Sequence, residues 1–149
     1  MNRTAVCLSV VAAFLSLSSA AQAMQAIGSS IEVRIEGLRN SRGTLRLCLN
    51  QNRAHYPDCS GDPQARKVNI PASTRSYLFA NLRPGQYVIT AMHDENGDGD
   101  LNTFLGIPRE GFAFSNNPTV RFSAPSFDRV RFNIGPSRAL VRLRFKYIG

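Results

Sequence analysis

Apolar and polar residues alternate with a period of two along much of this chain, and that pattern leaves few architectures open. Ile31, Val33 and Ile35 share one side of a stretch whose other side is Glu32, Arg34 and Glu36. Leu45, Leu47 and Leu49 repeat the pattern, with Arg46 and Cys48 opposite. Further on, Val130, Phe132 and Ile134 alternate with Arg129, Arg131 and Asn133, and Val141, Leu143, Phe145 and Tyr147 alternate with Arg142, Arg144 and Lys146. A strand sends successive side chains to opposite faces, so each segment carries one face for a core and one for water. Residues 67–70, 76–82 and 86–93 add three more segments. Arg83-Pro84-Gly85 joins the last two as a tight turn, in which proline presets φ and glycine accepts positive φ. These segments predict an all-β fold, a sandwich of about seven strands of the immunoglobulin-like or prealbumin-like kind with one long loop. Tyr87, Ile89 and Ala91 are expected in a central strand, and no amphipathic helix is expected after the leader.

The amino terminus follows a different rule. Arg3 supplies a positive charge, residues 5–17 are almost wholly apolar, and small residues lead to Ala21-Gln22-Ala23. A charged start, a short apolar core and an A-x-A ending are the parts of a secretory signal. The apolar run is too short to span a bilayer, which takes about 20 residues. The expected organisation is therefore a signal peptide over residues 1–23 and a single β-sandwich domain over 24–149, periplasmic or secreted, with no transmembrane segment in the mature chain. Cys7 leaves with the leader. Cys48 and Cys59 remain, and an even pair in an oxidising compartment reads as a disulfide. Cys48 lies on the polar side of its strand, from which it can reach Cys59 in the loop that follows.

The formal net charge is +8, carried almost entirely by arginine. Basic chains often meet nucleic acid or anionic surfaces. Here the arginines are scattered through the strands without a basic run, and export removes most nucleic-acid partners. The partners left are an unknown protein or an anionic envelope polymer.

The stretch from Asp94 to Pro118 has little strand periodicity, many glycines and asparagines, and Phe104, Phe112 and Phe114 to hold it down. Long loops in small domains are commonly functional. Oxygen-bearing side chains fall at alternate positions, Asp94, Asn96, Asp98, Asp100 and Asn102, with Gly97 and Gly99 allowing a tight curl. Calcium takes about six to eight oxygens from such a loop, and Asp94, Asn96, Asp98 and Gly99 match the opening of a calcium-binding loop in order. The second half departs from an EF-hand, because Leu105 stands where the bidentate glutamate belongs; Glu110 is the candidate late ligand. Calcium is thus the expected cofactor. The competing reading is a solvated loop whose carboxylates are balanced by arginines such as Arg109.

Catalytic material is sparse. His55 and His93 are the two histidines, too few for a zinc site, and no serine or cysteine is tied by sequence to His93 and Asp94. The expectation is a non-catalytic binding module of unidentified ligand. The alternatives are an envelope structural or adhesion-type domain contacting anionic surface polymers and, third, a hydrolase using His93 and Asp94.

Two resemblances join this reading. Leu82-Arg83-Pro84-Gly85-Gln86-Tyr87-Val88 resembles the L-x-P-G-x-Y-x-V hairpin of prealbumin-like and carboxypeptidase-regulatory-like sandwiches. His93-Asp94-x-Asn96-Gly97-Asp98-Gly99-x-Leu101-Asn102, followed by Gly106-Ile107-Pro108-x-Glu110-Gly111-Phe112-x-Phe114-Ser115-Asn116-Asn117, resembles the bacterial domain-of-unknown-function family 2141. Where that family commonly has a second aspartate, this chain has Asn102. The resemblance implies an exported β-sandwich and brings no activity with it.

Overall fold

A computed structural model describes residues 28–101, 103–104, 107–121 and 123–148. The expected signal peptide lies outside the described residues. Ten strands follow in chain order: β1 (Ser29–Glu36), β2 (Thr44–Asn50), β3 (Arg66–Pro71), β4 (Ser76–Leu82), β5 (Gly85–Asp94), β6 (Thr103–Phe104), β7 (Ile107–Pro108), β8 (Gly111–Phe114), β9 (Phe132–Ile134) and β10 (Arg138–Arg144). A four-residue helix, α1 (Phe127–Val130), precedes β9. Among the described residues no helix is long and apolar enough to cross a membrane.

Eight of the strands form two sheets. One runs β10-β1-β4; the other runs β3-β2-β5-β8, with β9 also paired to β5. β6 and β7 pair only with each other. The chain is therefore sandwich-like, as the alternation predicts. β1 and β10 run parallel, Val33 opposite Val141 and Ile35 opposite Leu143, whereas every other strand pair is antiparallel.

The alternating residues do what their period requires. Ile31, Val33 and Ile35 of β1 meet Leu45, Leu47 and Leu49 of β2 in one core, joined by Phe79, Tyr87, Ile89, Ala91, Leu143 and Phe145. Each fully buried aliphatic side chain of this kind contributes about 1.5–3 kcal/mol. β5 is the central strand of the larger sheet and is buried on both faces, since Val88 packs under Phe127 and Val130 of α1. The polar faces pair: Glu32 meets Arg34 and Arg138, and Glu36 meets Arg142 and Arg144. Exposed pairs like these contribute about 0–1 kcal/mol each.

Cys48 and Cys59 are bonded, with Cα atoms 6.5 Å apart and 11 positions apart in sequence. Cys48 lies on the side of β2 away from the main core, yet the loop carrying Cys59 covers it, so both sulfurs are buried. A disulfide of this kind points to an oxidising, extracytoplasmic setting.

The structure departs from the sequence reading at several places. The last strand is β10 at Arg138–Arg144, where alternation put it over 141–147, and the long loop holds the short pair β6 and β7. Val130 ends α1 instead of opening a strand, because one helical turn lets Phe127 and Val130 face the same way onto Val88. Residues 111–114 form β8, a strand of four residues that is too short for its alternation to stand out against the loop around it. The turn at Arg83-Pro84-Gly85 does not close a hairpin: β4 pairs with β1 and β5 with β2, so the turn carries the chain from one sheet to the other.

Candidate functional site

The acidic loop begins where β5 ends. Asp94 is fully buried, and its oxygens accept from three donors: Oδ1 from the Gly97 N–H at 2.6 Å, Oδ2 from the Gly99 N–H at 3.0 Å and from Nε of Arg46 at 2.8 Å. The curl is made by residues that tolerate it. Gly99 has φ of +89°, and a Cβ there would lie 3.0 Å from the Arg46 guanidinium. Gly43 comes closer still, with φ of +70° and the Asp94 carbonyl oxygen 2.1 Å from where its Cβ would stand. Only glycine allows the β1–β2 connection to cross the loop at that point.

Asn96 and Asp98 are tied to each other and to the backbone. Asn96 Nδ2 donates to Asp98 Oδ2 at 2.8 Å, Asn96 Oδ1 accepts from the Asp98 N–H, and Asp98 Oδ1 accepts from the Asp100 N–H. Glu110 is buried and accepts the Glu95 N–H at 3.1 Å. Asn102 lies outside the described residues. Of the six expected metal ligands, Asp94, Asn96 and Asp98 share the curl, and Glu110 braces it from behind. Among the described residues no group of three or more His, Cys, Asp or Glu side chains is gathered as a metal centre would gather them.

Glu95 is clasped by the β1–β2 connection. It accepts from Nε of Arg39 at 2.6 Å and Nδ2 of Asn40 at 2.7 Å, with Arg42 at 3.5 Å. Burial pushes its carboxyl up, but these bonds and the Arg39 charge outweigh it and hold the group below the usual carboxylate range. His93 is fully buried. Its Nε2 lies 2.7 Å from the Arg42 carbonyl and its Nδ1 2.7 Å from the Tyr147 hydroxyl. A carbonyl can only accept, so Nε2 carries a proton, and Nδ1 is left to bond the Tyr147 hydroxyl. Both nitrogens are engaged in holding this end of the sandwich together. The Ser115 hydroxyl is also engaged, donating to the Val130 carbonyl at 2.6 Å and accepting the Ile89 N–H at 3.0 Å.

The other end of β5 carries a feature that sequence reasoning missed. A cleft of about 500 Å³ opens there, lined by residues that follow β2, precede and open β3, and make the β4–β5 turn. Tyr87 and Asp94 are seven residues apart on β5, so roughly 23 Å separates the cleft from the acidic loop at the rise of a strand. Leu49, Leu82 and Tyr87 form its floor and are at most 6% exposed. Arg53, Arg66 and Arg83 stand around it with the carboxamides of Gln51, Asn52, Gln64 and Asn81. Asp62 lines it too and is buried, its Oδ1 accepting the Gln64 N–H at 2.8 Å.

The fold fixes most of this rim. Arg53 forms a double hydrogen bond with Asp128 at 2.7 and 2.9 Å and lies 4.8 Å from the centre of the Phe127 ring. Arg66 donates to the Ala80 carbonyl, bridging β3 to β4. The Tyr87 hydroxyl donates to the Arg83 carbonyl at 2.9 Å and pins the turn. Asn81 sits at φ of +56°, a left-handed conformation asparagine accepts more readily than most residues. The Arg83 guanidinium makes no hydrogen bond or ion pair among the described residues, and no cation is paired with Asp62 there. The available signal was the spread of glutamines and asparagines across residues 51–52, 64 and 81, which has no period and becomes a pattern only when the two sheets meet.

The two sheets, the inter-sheet turn and the Asp94 loop define a small disulfide-bonded β-sandwich. The chain belongs to the family described as an uncharacterized protein conserved in bacteria, DUF2141, whose model matches residues 33–141. Neither a curated protein nor a solved structure matches the chain significantly.

Proposed function

We propose that this chain is an exported, non-catalytic binding module, periplasmic or secreted, whose ligand seats in the polar cleft at the β4–β5 turn. The cleft carries this reading. Its volume of about 500 Å³ falls within the range of small-molecule sites, and its rim includes an arginine without a side-chain partner among the described residues. The signal-like leader and the disulfide support export. The hydrogen bonds of His93 and Asp94, the pair a hydrolase would use, go to Tyr147, the Arg42 carbonyl, Arg46 and the loop backbone, which supports a structural role for both.

In this reading the acidic loop is neutralised from within the chain. The Arg46 guanidinium stands beside Asp94 where a cation would, which supports the expectation of carboxylates balanced by arginines. Calcium is then a competitor for that carboxylate and not a component of the fold.

A second reading has one observation of its own. On the outer face of the smaller sheet, Arg34 and Arg138 share Glu32 while Arg142 and Arg144 share Glu36. Two cations to each carboxylate leave an excess of positive charge for an anionic surface polymer, as in an adhesion-type domain. Such a contact weakens steeply with salt.

Chemical-shift mapping separates the two. The ¹⁵N-labelled mature chain is titrated with the low-molecular-weight fraction of a cell-envelope extract. Shifts gathered at residues 51–53, 62–66 and 81–83 are expected. Shifts gathered on β1 and β10 and abolished by salt favour the adhesion reading instead.

A further inference from the structure

The chemistry of the cleft narrows the ligand, on the premise that the chain is a binding module. Its floor offers little apolar surface, because Leu49, Leu82 and Tyr87 are already covered to within 6%. An apolar or aromatic ligand would gain little there, so recognition falls to hydrogen bonds and charge. Arg53 is neutralised by Asp128, which leaves Arg66 and Arg83 against the single carboxylate of Asp62, a positive balance that selects an anion.

Asp62 adds a second requirement. Its carboxylate can only accept hydrogen bonds when ionised, and it lines the cleft while only 8% exposed. A bare anion pressed against it would be repelled; an anion that also presents O–H donors satisfies it. The carboxamides of Gln51, Gln64 and Asn81 fit the same ligand, since each can donate to one hydroxyl and accept from the next. These amides come from three separate segments of chain, so they offer separate points of recognition rather than one row. We propose that the cleft binds a short acidic saccharide, with the arginine side chains, Arg83 foremost, on its carboxylate and with Asp62 and the amides on its hydroxyl groups.

The test uses the whole mature chain and four probes: trigalacturonic acid as the acidic saccharide, maltotriose as a neutral one, tricarballylate as a hydroxyl-free anion, and triglutamate as an acidic peptide. Trigalacturonic acid is expected to shift the amides of residues 51–53, 62–66 and 81–83 and to bind at least tenfold more tightly than the other three. Arg83→Gln and Asp62→Asn are each expected to weaken it at least tenfold. Both variants keep the fold, because the Arg83 side chain is exposed and asparagine still offers an oxygen to the Gln64 N–H. Equal binding of tricarballylate or triglutamate, unchanged binding by the variants, or no shift with trigalacturonic acid would overturn the inference. If the envelope extract shifts the cleft while the saccharide does not, this inference falls and the binding-module reading stands; if neither shifts it, both fall.

Discussion

Nε of Arg46 lies 2.8 Å from Oδ2 of Asp94, and the carboxylate it meets has no exposure to water. Asp94 ends the central strand and organises the loop after it, so Arg46, reaching across from β2, neutralises the charge on which the loop turns. The Arg46 side chain is itself 36% exposed, which tempers the energy of the pair. Arg46→Gln is expected to lower stability by about 1–3 kcal/mol, the range for leaving a buried polar group without its partner. The same contact predicts the response to calcium. The melting temperature of the wild-type chain should not change between chelator and millimolar calcium, whereas Arg46→Gln, with Asp94 left unbalanced, should be stabilised by the ion. A wild-type midpoint that climbs with calcium, and ceases to do so in Asp98→Ala, would return the metal to the loop.

That loop shows what the sequence makes legible and what it hides. Alternation located β1 and β2 to within a residue or two, because a half-buried strand records its burial locally, while the Arg83-Pro84-Gly85 turn marked the ends of β4 and β5 that it joins. The polar character of the curl and the need for glycine at Gly99 are also local. The identity of the balancing cation is not: Arg46 lies 48 positions before Asp94, and nothing in its own segment distinguishes it from the other outward arginines. The cleft was hidden for the same reason, since Gln51, Asp62, Asn81 and Arg83 meet only through the pairing of two sheets. β1 and β10 lie at opposite ends of the described chain, so their parallel pairing left no mark in either segment.

Ser115 fastens the second small core to the central strand. It is fully buried, and its hydroxyl serves the Ile89 N–H and the Val130 carbonyl at once. Ser115→Ala removes both bonds and is expected to cost about 1–3 kcal/mol, mostly through buried groups left without a partner. Urea denaturation measures the loss. Amide exchange should quicken at residues 127–131, where α1 would no longer be held; protection unchanged there would mean that Phe127 and Val130 hold the helix by packing alone.

The disulfide closes a loop of about a dozen residues, for which the chain-entropy model gives about 3 kcal/mol. Protein recovered from the exporting cell should show no alkylatable thiol at Cys48 or Cys59 by mass spectrometry without reduction. The Cys48→Ala, Cys59→Ala double variant should unfold at lower denaturant yet keep the far-ultraviolet β signature, since the Leu45, Leu47 and Leu49 core does not include the sulfurs. Two free thiols in the native protein would remove both the stabilisation and the argument for an oxidising compartment.

The pH profile follows from two kinds of partly buried group with opposite signs. Burial pushes the Tyr56 phenol up to about 12, with its hydroxyl donated to the Pro125 carbonyl at 2.7 Å. Burial likewise raises Tyr147, and the Glu95 charge adds to it. A phenol whose folded value lies above its unfolded value near 10 stabilises the fold fully below pH 10 and loses that contribution as pH climbs toward 12. Glu95 works the other way. Its folded value lies below the ordinary 4.5, so its contribution is present above that pH and is lost as pH falls through the folded value. These groups together give a plateau of stability from about pH 5 to about pH 10, with a fall on each side. Denaturation midpoints measured across pH should trace that plateau, and the ultraviolet tyrosinate signal should show a late component that shrinks in Tyr56→Phe, leaving the part that Tyr147 contributes. If all four tyrosines titrate together near pH 10, the Tyr56 ring is not held between Phe114 and Phe127 as the structure has it.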